Sequence, residues 1–258
     1  MKPILFNTQM VLAILDGRKT TTRRIVKGNI NDLDLIGTGS SKCNDTFDTT
    51  LFGKLDKEKV WNSYVKERVK APYMPGDIFY VRETWGISNP LGDFARNNRT
   101  AEYVYKAGYS KGERIPMVRE QEKNLGVWKP SIHMPKDAAR IFLKVTSAKV
   151  ERLQDITEDG IRAEGITCDK EYEEFKNAAE SNCEVKFATL WDSTVNKKDM
   201  DKYSWNSNPY VWVIEFEKLP TDRIKSYKEI FKCDTEKAIE KYIKAKNTKV
   251  CLESEAEQ

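Results

Sequence analysis

Between Arg18 and Arg24 the chain sets four cations and three threonines in seven residues, Arg18-Lys19-Thr20-Thr21-Thr22-Arg23-Arg24, with no acidic side chain between them. Guanidinium forks, an ammonium and hydroxyls at this density suit the recognition of something anionic or polar. A solvated basic turn has the same composition, and charge alone does not choose between the two. Arg82 and Glu83 are a second pair of charges, at the end of an otherwise apolar run. Charges so placed are paired or line a site, because an unpaired buried charge is costly. Trp85, Trp128 and Trp191 are flat plates of the kind on which nucleobases stack, and Trp85 is the best placed because its strand ends beside Arg82 and Glu83. His133, the single histidine, stands in Ser131-Ile-His-Met134 ahead of a strand, as a hydrogen-bonded structural residue or as a base.

These side chains need elements to position them. Met10, Val11, Ile14 and Leu15 recur at helical spacing, which predicts a helix over Thr8 to Asp16 with Asn7 or Thr8 as its cap. Gly17 ends it, and the β-branched run Thr20 to Thr22 favours extended chain, so the cations arrive at a helix-to-strand turn. If strand alternation held strictly from Lys19 onward, Lys19 and Thr22 would face opposite ways. After the turn signal Pro75-Gly-Asp77, Ile78 to Trp85 reads as a strand, with Ile78, Tyr80 and Arg82 on one face and Phe79, Val81 and Glu83 on the other. Ala139 to Leu153 and Tyr210 to Leu219 are two further strands. Thr157 caps a helix over Glu158 to Glu164, with an acidic first turn and Gly165 as its stop. Phe187, Leu190, Trp191 and Thr194 mark a helix running from about Tyr172 to Val195.

Residues 28–70 and 86–127 read as insertions, the first with a helix over Asp56 to Val69 and the second with a strand over Glu102 to Ala107. From Pro220 to Gln258 the chain reads as a charged tail of one or two amphipathic helices, so the expected domain is 1–219 followed by a tail at 220–258. Strands separated by single helices, with too few βαβ units for a doubly wound sheet, point to an α+β class and a small mixed β-barrel flanked by helices.

The net charge of +4 is too small to imply nucleic-acid binding by bulk electrostatics, so such binding would need a local patch like Arg18 to Arg24. The five cysteines are scattered without a C-x-x-C pair, and one histidine cannot complete a zinc site, so no metal or other cofactor is expected and the thiols read as free. The apolar run before Asn7 is too short for a signal-peptide core, and no stretch reaches membrane-spanning length. A cytoplasmic protein without membrane association is the expectation.

Gly17-Arg-Lys-Thr-x-Thr-x-Arg24 after a short helix resembles the signature of the ASCH family, a branch of the PUA-like fold associated with RNA. Tyr80-Val-Arg-Glu-Thr-Trp85 and Trp128-Lys-Pro-Ser-Ile-His-Met-Pro135 are similar to a branch of that family found in bacteriophage and prophage genomes. The likeness covers roughly residues 1 to 27, 71 to 88, 126 to 167 and 186 to 219. It implies a PUA-like barrel and, for a phage-encoded chain, the cytoplasm of a bacterial host. One ASCH branch comprises metal-independent amidohydrolases of acetylated cytidine, and carried over residue by residue its catalytic set becomes Lys19, Thr22 and Glu164, with Glu158 as a rival for the last.

That chemistry is coherent, since amide hydrolysis without a metal needs a nucleophile, a base and a proton donor for the leaving amine. Thr22 would attack or position water, Lys19 with a lowered pKa would be the base, and Glu164 would shuttle the proton. Arg18, Arg24, Arg82, Glu83, Trp85 and His133 complete the expected ligand-binding set for RNA, a nucleoside or a nucleotide. The hydrolase would act as an amidohydrolase on modified cytidine or by cleaving RNA, and two other readings stand beside it. One is a non-catalytic RNA-binding module in which the same cations hold phosphates; the other is a phage protein that binds a host protein through its insertions or tail.

Overall fold

The computed structural model describes residues 1–39, 48–54, 64–87, 102–109, 128–168 and 183–256, with residues 64 and 248–256 by backbone alone. In chain order the regular elements are β1 (Lys2–Leu5), α1 (Thr8–Leu15), β2 (Thr21–Ile25), β3 (Asp34–Gly39), β4 (Thr49–Lys54), β5 (Tyr64–Lys70), β6 (Ile78–Arg82), β7 (Trp85–Ile87), β8 (Tyr103–Tyr105), β9 (Phe142–Arg152), α2 (Glu158–Ala163), α3 (Cys183–Thr194), α4 (Met200–Tyr203), β10 (Tyr210–Lys218), α5 (Thr221–Ile230) and α6 (Thr235–Ala256). The fold is mixed α+β. Its contacts divide it into two units, one of Met1–Thr8, Ile78–Lys144 and Lys218–Gln258 and a second of Gln9–Asp77 and Val145–Glu217.

In the second unit β2 pairs antiparallel with β10, from Val211 opposite Ile25 to Glu215 opposite Thr21. The N–H of Phe216 donating to the carbonyl of Thr20 carries that ladder back to the turn. Tyr210 to Ile214 are all buried, so β10 is covered on both faces, and this is why its sequence is a nearly unbroken apolar run. Leu153, Ile161, Phe187, Trp191, Val211 and Val213 form one core that gathers β9, α2, α3 and β10. A separate sheet has the order β3-β4-β5.

In the first unit β1 lies parallel to β6, which pairs antiparallel with the start of β9. Ile224, Ala238 and Ile239 of α5 and α6 pack with Tyr80, Phe142 and Leu219, so the segment read as a tail supplies part of this unit's core. Of the three strands expected to share a sheet, β6 and the start of β9 pair within this unit.

Three expectations change. The strand over Ile78 to Trp85 is two strands with a break at Glu83-Thr84, where the Glu83 N–H turns to Met134 Sδ instead of a ladder carbonyl. The helix over Asp56 to Val69 is a strand at residues 64–70, paired with β4, while 55–63 lie outside the described residues. Val65 and Val69 are four apart, a spacing that suits either period, and the sequence Val-Lys-Glu-Arg-Val-Lys alternates half-buried with exposed once β4 is beside it. Third, the cysteines are not all free: Cys168 and Cys183 are disulfide-bonded with Cα atoms 5.4 Å apart. They stand 15 positions apart in sequence, the first after the end of α2 and the second at the first residue of α3. Cys233 is free. Residues 40–47, 88–101 and 110–127 of the expected insertions, and 172–182 of the predicted helix, lie outside the described residues. Among the described residues no helix is long and apolar enough to cross a membrane.

Glu83 is 1% exposed and receives a two-pronged grip from Arg140, Nε to Oε1 at 2.8 Å and Nη2 to Oε2 at 2.9 Å. Burial raises the Glu83 pKa above its ordinary 4.5, and the Arg140 contacts oppose the rise. Arg140→Ala should cost about 3–5 kcal/mol at pH 7, since it strands a buried carboxylate. The folded state then holds the Glu83 proton more tightly than the unfolded chain does, so the loss should shrink as pH falls toward 4.5. Urea denaturation across that range, with Arg140→Ala/Glu83→Gln recovering part of the loss, checks this; a loss independent of pH in both variants refutes it.

Candidate functional site

Gly17, at φ 78°, closes α1 and starts the turn that the sequence placed here, and β2 does not begin until Thr21. Lys19 therefore lies in the turn and not in the strand. Across from it, α2 begins at Thr157, whose hydroxyl accepts the Gly160 N–H at 3.1 Å, and ends at Glu164 and Gly165. The Gly165 N–H donates to the Arg162 carbonyl and the Ile166 N–H to that of Ile161, the paired bonds of a glycine C-cap. Gly165 has φ 90°, and a Cβ there would meet the Ala13 Cβ at 2.7 Å and the Lys19 Cβ at 3.0 Å. This residue must be glycine for both reasons, and the close approach it permits seats Lys19 against the end of α2.

The last turn of a helix leaves carbonyls without intrahelical donors, and the basic turn supplies them. Thr20 N donates to Ala163 O at 2.9 Å, Lys19 Nζ to Glu164 O at 2.9 Å and Arg18 Nη1 to Gly165 O at 2.9 Å. Cations are favoured at a helix C-terminus for the same reason.

The Lys19 ammonium also donates to Thr21 O at 2.8 Å and to Glu164 Oε2 at 2.6 Å. Its side chain is 0% exposed and that of Glu164 is 6% exposed. Burial lowers the Lys19 pKa from its ordinary value and Glu164 opposes the fall; the neighbouring Arg24 and Arg23 charges lower it further. Arg23, four residues on and so of the same parity, reaches the same carboxylate: Nη1 lies 3.3 Å from Glu164 Oε1, and Nη2 donates to Glu151 Oε1 at 2.7 Å. Arg24 is also held low by burial, with Glu164 as the strongest opposing influence. Lys19, Arg23 and Arg24 thus face the carboxylates Glu164 and Glu151, and Lys149 Nζ lies 3.2 Å from the other oxygen of Glu151, so among the described residues cations outnumber carboxylates in this network.

Beside this network is a cavity of ≈ 30 Å³. Thr22, Arg23, Arg24 and Glu164 form its polar side, and Met10, Phe187, Leu190, Trp191 and Thr194 the rest. Lys19 does not line it. Of the residues singled out in the sequence, the second unit therefore brings together Lys19, Thr22, Arg24 and Glu164. Arg18 is exposed and pairs with Asp16 at 3.0 Å. The rival carboxylate, Glu158, is exposed on α2 and pairs with Arg162.

Arg82, Glu83, Trp85 and His133 belong to the first unit. Arg82 Nη1 donates to Ile132 O at 3.3 Å, Glu83 is held by Arg140, and His133 is exposed. Trp85 is 1% exposed, with Tyr103 edge-on to its ring and the Lys129 ammonium 5.2 Å from the ring centre.

Neither Arg23 nor Glu151 has a role in the expected site, and of the α3 wall only Trp191 is singled out in the sequence. The even spacing of Lys19 and Arg23 was the available signal for the first. Nothing local marks Glu151, which comes from a strand 128 residues away. Among the described residues no group of His, Cys, Asp and Glu is arranged to hold a metal ion. No family model, no curated protein and no solved structure matches this chain.

Glu164→Gln should cost about 3–5 kcal/mol at pH 7, because it leaves the Lys19 ammonium buried without its counter-charge. With that support gone the Lys19 pKa falls further below its ordinary 10.5, and the unfolded chain then binds the proton more tightly than the folded one. Stability of the variant should accordingly rise with pH up to that value. Lys19→Met/Glu164→Gln, which removes both charges, should recover most of the loss. Chemical denaturation from pH 6 to 10 is the measurement, and a flat profile for Glu164→Gln would refute the account.

Proposed function

We propose that this protein is a metal-independent hydrolase of the ASCH type, built on a PUA-like barrel and acting on the acylated amino group of a cytidine, free or within RNA. The observation that carries the reading is the Lys19–Glu164 pair, 2.6 Å apart and almost wholly buried, with Glu164, Thr22 and Arg24 presented to one cavity. The motif Gly17-Arg-Lys-Thr-x-Thr-x-Arg24 supports it from the sequence.

Roles follow from which groups a ligand can reach. Glu164 lines the cavity and Lys19 does not, so Glu164 is the group that meets the substrate and Lys19 acts through it. Water, or the Thr22 hydroxyl with water completing the turnover, adds its oxygen to the acyl carbon. The proton released enters the Lys19–Glu164 pair. Arg24 and Arg23 stabilise the oxyanion. The C–N bond then breaks, the proton passes to the leaving amine, and a carboxylic acid is left.

Full engagement of Lys19 by three acceptors also bears on the RNA-binding module. A lysine with every N–H committed inside the protein is not a phosphate contact, so that reading would have to rest on other cations. The same engagement favours a second reading, in which the network only ties the basic turn to α2.

Assays on acetylated cytidine and short acetylated RNAs, with wild type, Thr22→Val, Lys19→Ala and Glu164→Gln, separate these outcomes once melting curves identify the folded variants. Turnover that falls about 10²–10⁴-fold in folded Thr22→Val and Glu164→Gln, with binding retained, is the expected result. RNA binding that weakens steeply with salt and is unchanged in Glu164→Gln, with no turnover anywhere, would favour the binding module. No interaction with any nucleoside or RNA would leave the host-protein reading.

A further inference from the structure

α3 walls the cavity with Phe187, Leu190, Trp191 and Thr194, and its two ends are fastened by different means. Toward the C-terminus, Trp191 Nε1 donates to the Tyr203 carbonyl at 2.8 Å and the Asp192 carboxylate accepts the Trp205 N–H at 2.7 Å, while the Trp191 ring is buried in the core. The first turn is looser in its packing, with Glu184 and Val185 exposed and the Lys186 ammonium 3.4 Å from the Thr167 carbonyl. Its covalent tie is the Cys168–Cys183 disulfide.

Cys183 is the first residue of α3, and Cys168 follows α2, whose end carries Glu164. The disulfide therefore joins the element that carries the carboxylate of the site to the element that walls it. Phe187, which lines the cavity, stands one helical turn beyond the tie. The cavity measures ≈ 30 Å³, whereas one that holds a single six-membered ring measures on the order of 150 Å³. A planar ring is not seated here until a wall gives way, because packed side chains yield little by themselves.

We propose that the Cys168–Cys183 disulfide is a reversible redox latch on this wall: oxidised, it holds the first turns of α3 in place, and reduced, it frees them and opens the cavity to a planar ring. The identity of that ring as a pyrimidine rests on the hydrolase reading, but the latch rests on how α3 is anchored. The reductant is a dithiol. Cys183 is half-buried and Cys168 only 8% exposed, so a thiolate of the reductant attacks Cys183 Sγ and Cys168 leaves as a thiolate. The second thiolate of the reductant then displaces Cys183, leaving the reductant as a disulfide and its two protons on the two cysteines. Exchange with a disulfide of the same class reverses both steps. Closing a loop across 15 positions is worth about 10²-fold in the opening equilibrium of the segment it ties.

Amide hydrogen exchange on the whole protein, oxidised and after dithiothreitol, reads the latch directly. In the reduced protein, and in Cys168→Ser/Cys183→Ser with or without dithiothreitol, the amides of Cys183 to Leu190 should exchange about 10²-fold faster than in the oxidised protein. Those of β2 and β10 should keep their rates. Cytidine, titrated by calorimetry, should bind the reduced protein and the double variant at least about tenfold more tightly than the oxidised protein. Exchange in Cys183 to Leu190 that ignores dithiothreitol would overturn the latch, as would cytidine binding of equal strength in both forms. Faster exchange spreading through β2 and β10 would also overturn it, since the disulfide would then staple the whole unit. Turnover of acetylated cytidine at equal rates in both forms sinks the latch and leaves the hydrolase. Faster exchange with cytidine binding confined to the reduced form, but no turnover in either, keeps the latch and sinks the hydrolase.

Discussion

A lysine that is 0% exposed is affordable only if something nearby removes the penalty of desolvation, and in this protein Glu164 does so. One carboxylate oxygen, one helix-terminal carbonyl and the carbonyl of Thr21 take all three ammonium protons of Lys19. The rest of the second unit's architecture follows from keeping that pair intact. Gly165 has to lack a Cβ so that α1, the basic turn and the end of α2 can close on one another. The glycine cap turns the chain sharply enough to leave the carbonyls of Ala163, Glu164 and Gly165 facing the residues Thr20, Lys19 and Arg18.

The pair also determines what the basic run can do. Four cations in seven residues suggest an open, phosphate-seeking surface, but the fold uses most of them internally. Arg18 is taken by Asp16 and Gly165, Lys19 by Glu164, and Arg23 by Glu164 and Glu151. What faces the cavity is a partly neutralised network, with Arg23, Arg24 and Glu164 on its polar side. Low dielectric strengthens the field such a network exerts on a small group, which is the condition under which preorganised charges act on an acyl carbon.

A second buried pair, Glu83 with Arg140, obeys the same rule in the first unit with a different geometry. Here the fork is matched by both carboxylate oxygens, and Arg140 lies over the Tyr105 ring with its guanidinium carbon 4.1 Å from the ring centre. Burial pushes the Tyr105 hydroxyl up to about 12, so it stays protonated and donates to Ala138 O at 2.7 Å throughout the physiological range. Glu83, a charge at a strand end, is expected to be paired or to line a site, and the fold pairs it with Arg140.

Local rules were enough for the elements that carry the site. The helix before Gly17, the extended threonines, the Thr157 cap, the stop at Gly165 and the buried run of β10 all depend on side-chain periodicity and on glycine's freedom at positive φ, and both are written within a few residues. Two kinds of fact lay beyond those rules. Val65 and Val69 fit a helix or a strand equally well until β4 supplied the partner, because a spacing of four satisfies both periods. The partners of the charges were likewise undecided: Arg23 finds Glu151 across 128 residues, Glu83 finds Arg140 across 57, and Cys168 finds Cys183 across 15. Sequence by itself determined which residues are costly to bury. Tertiary structure alone decided which partner relieves each cost, because an ion pair or a disulfide depends on distance through space, and no local pattern encodes that distance.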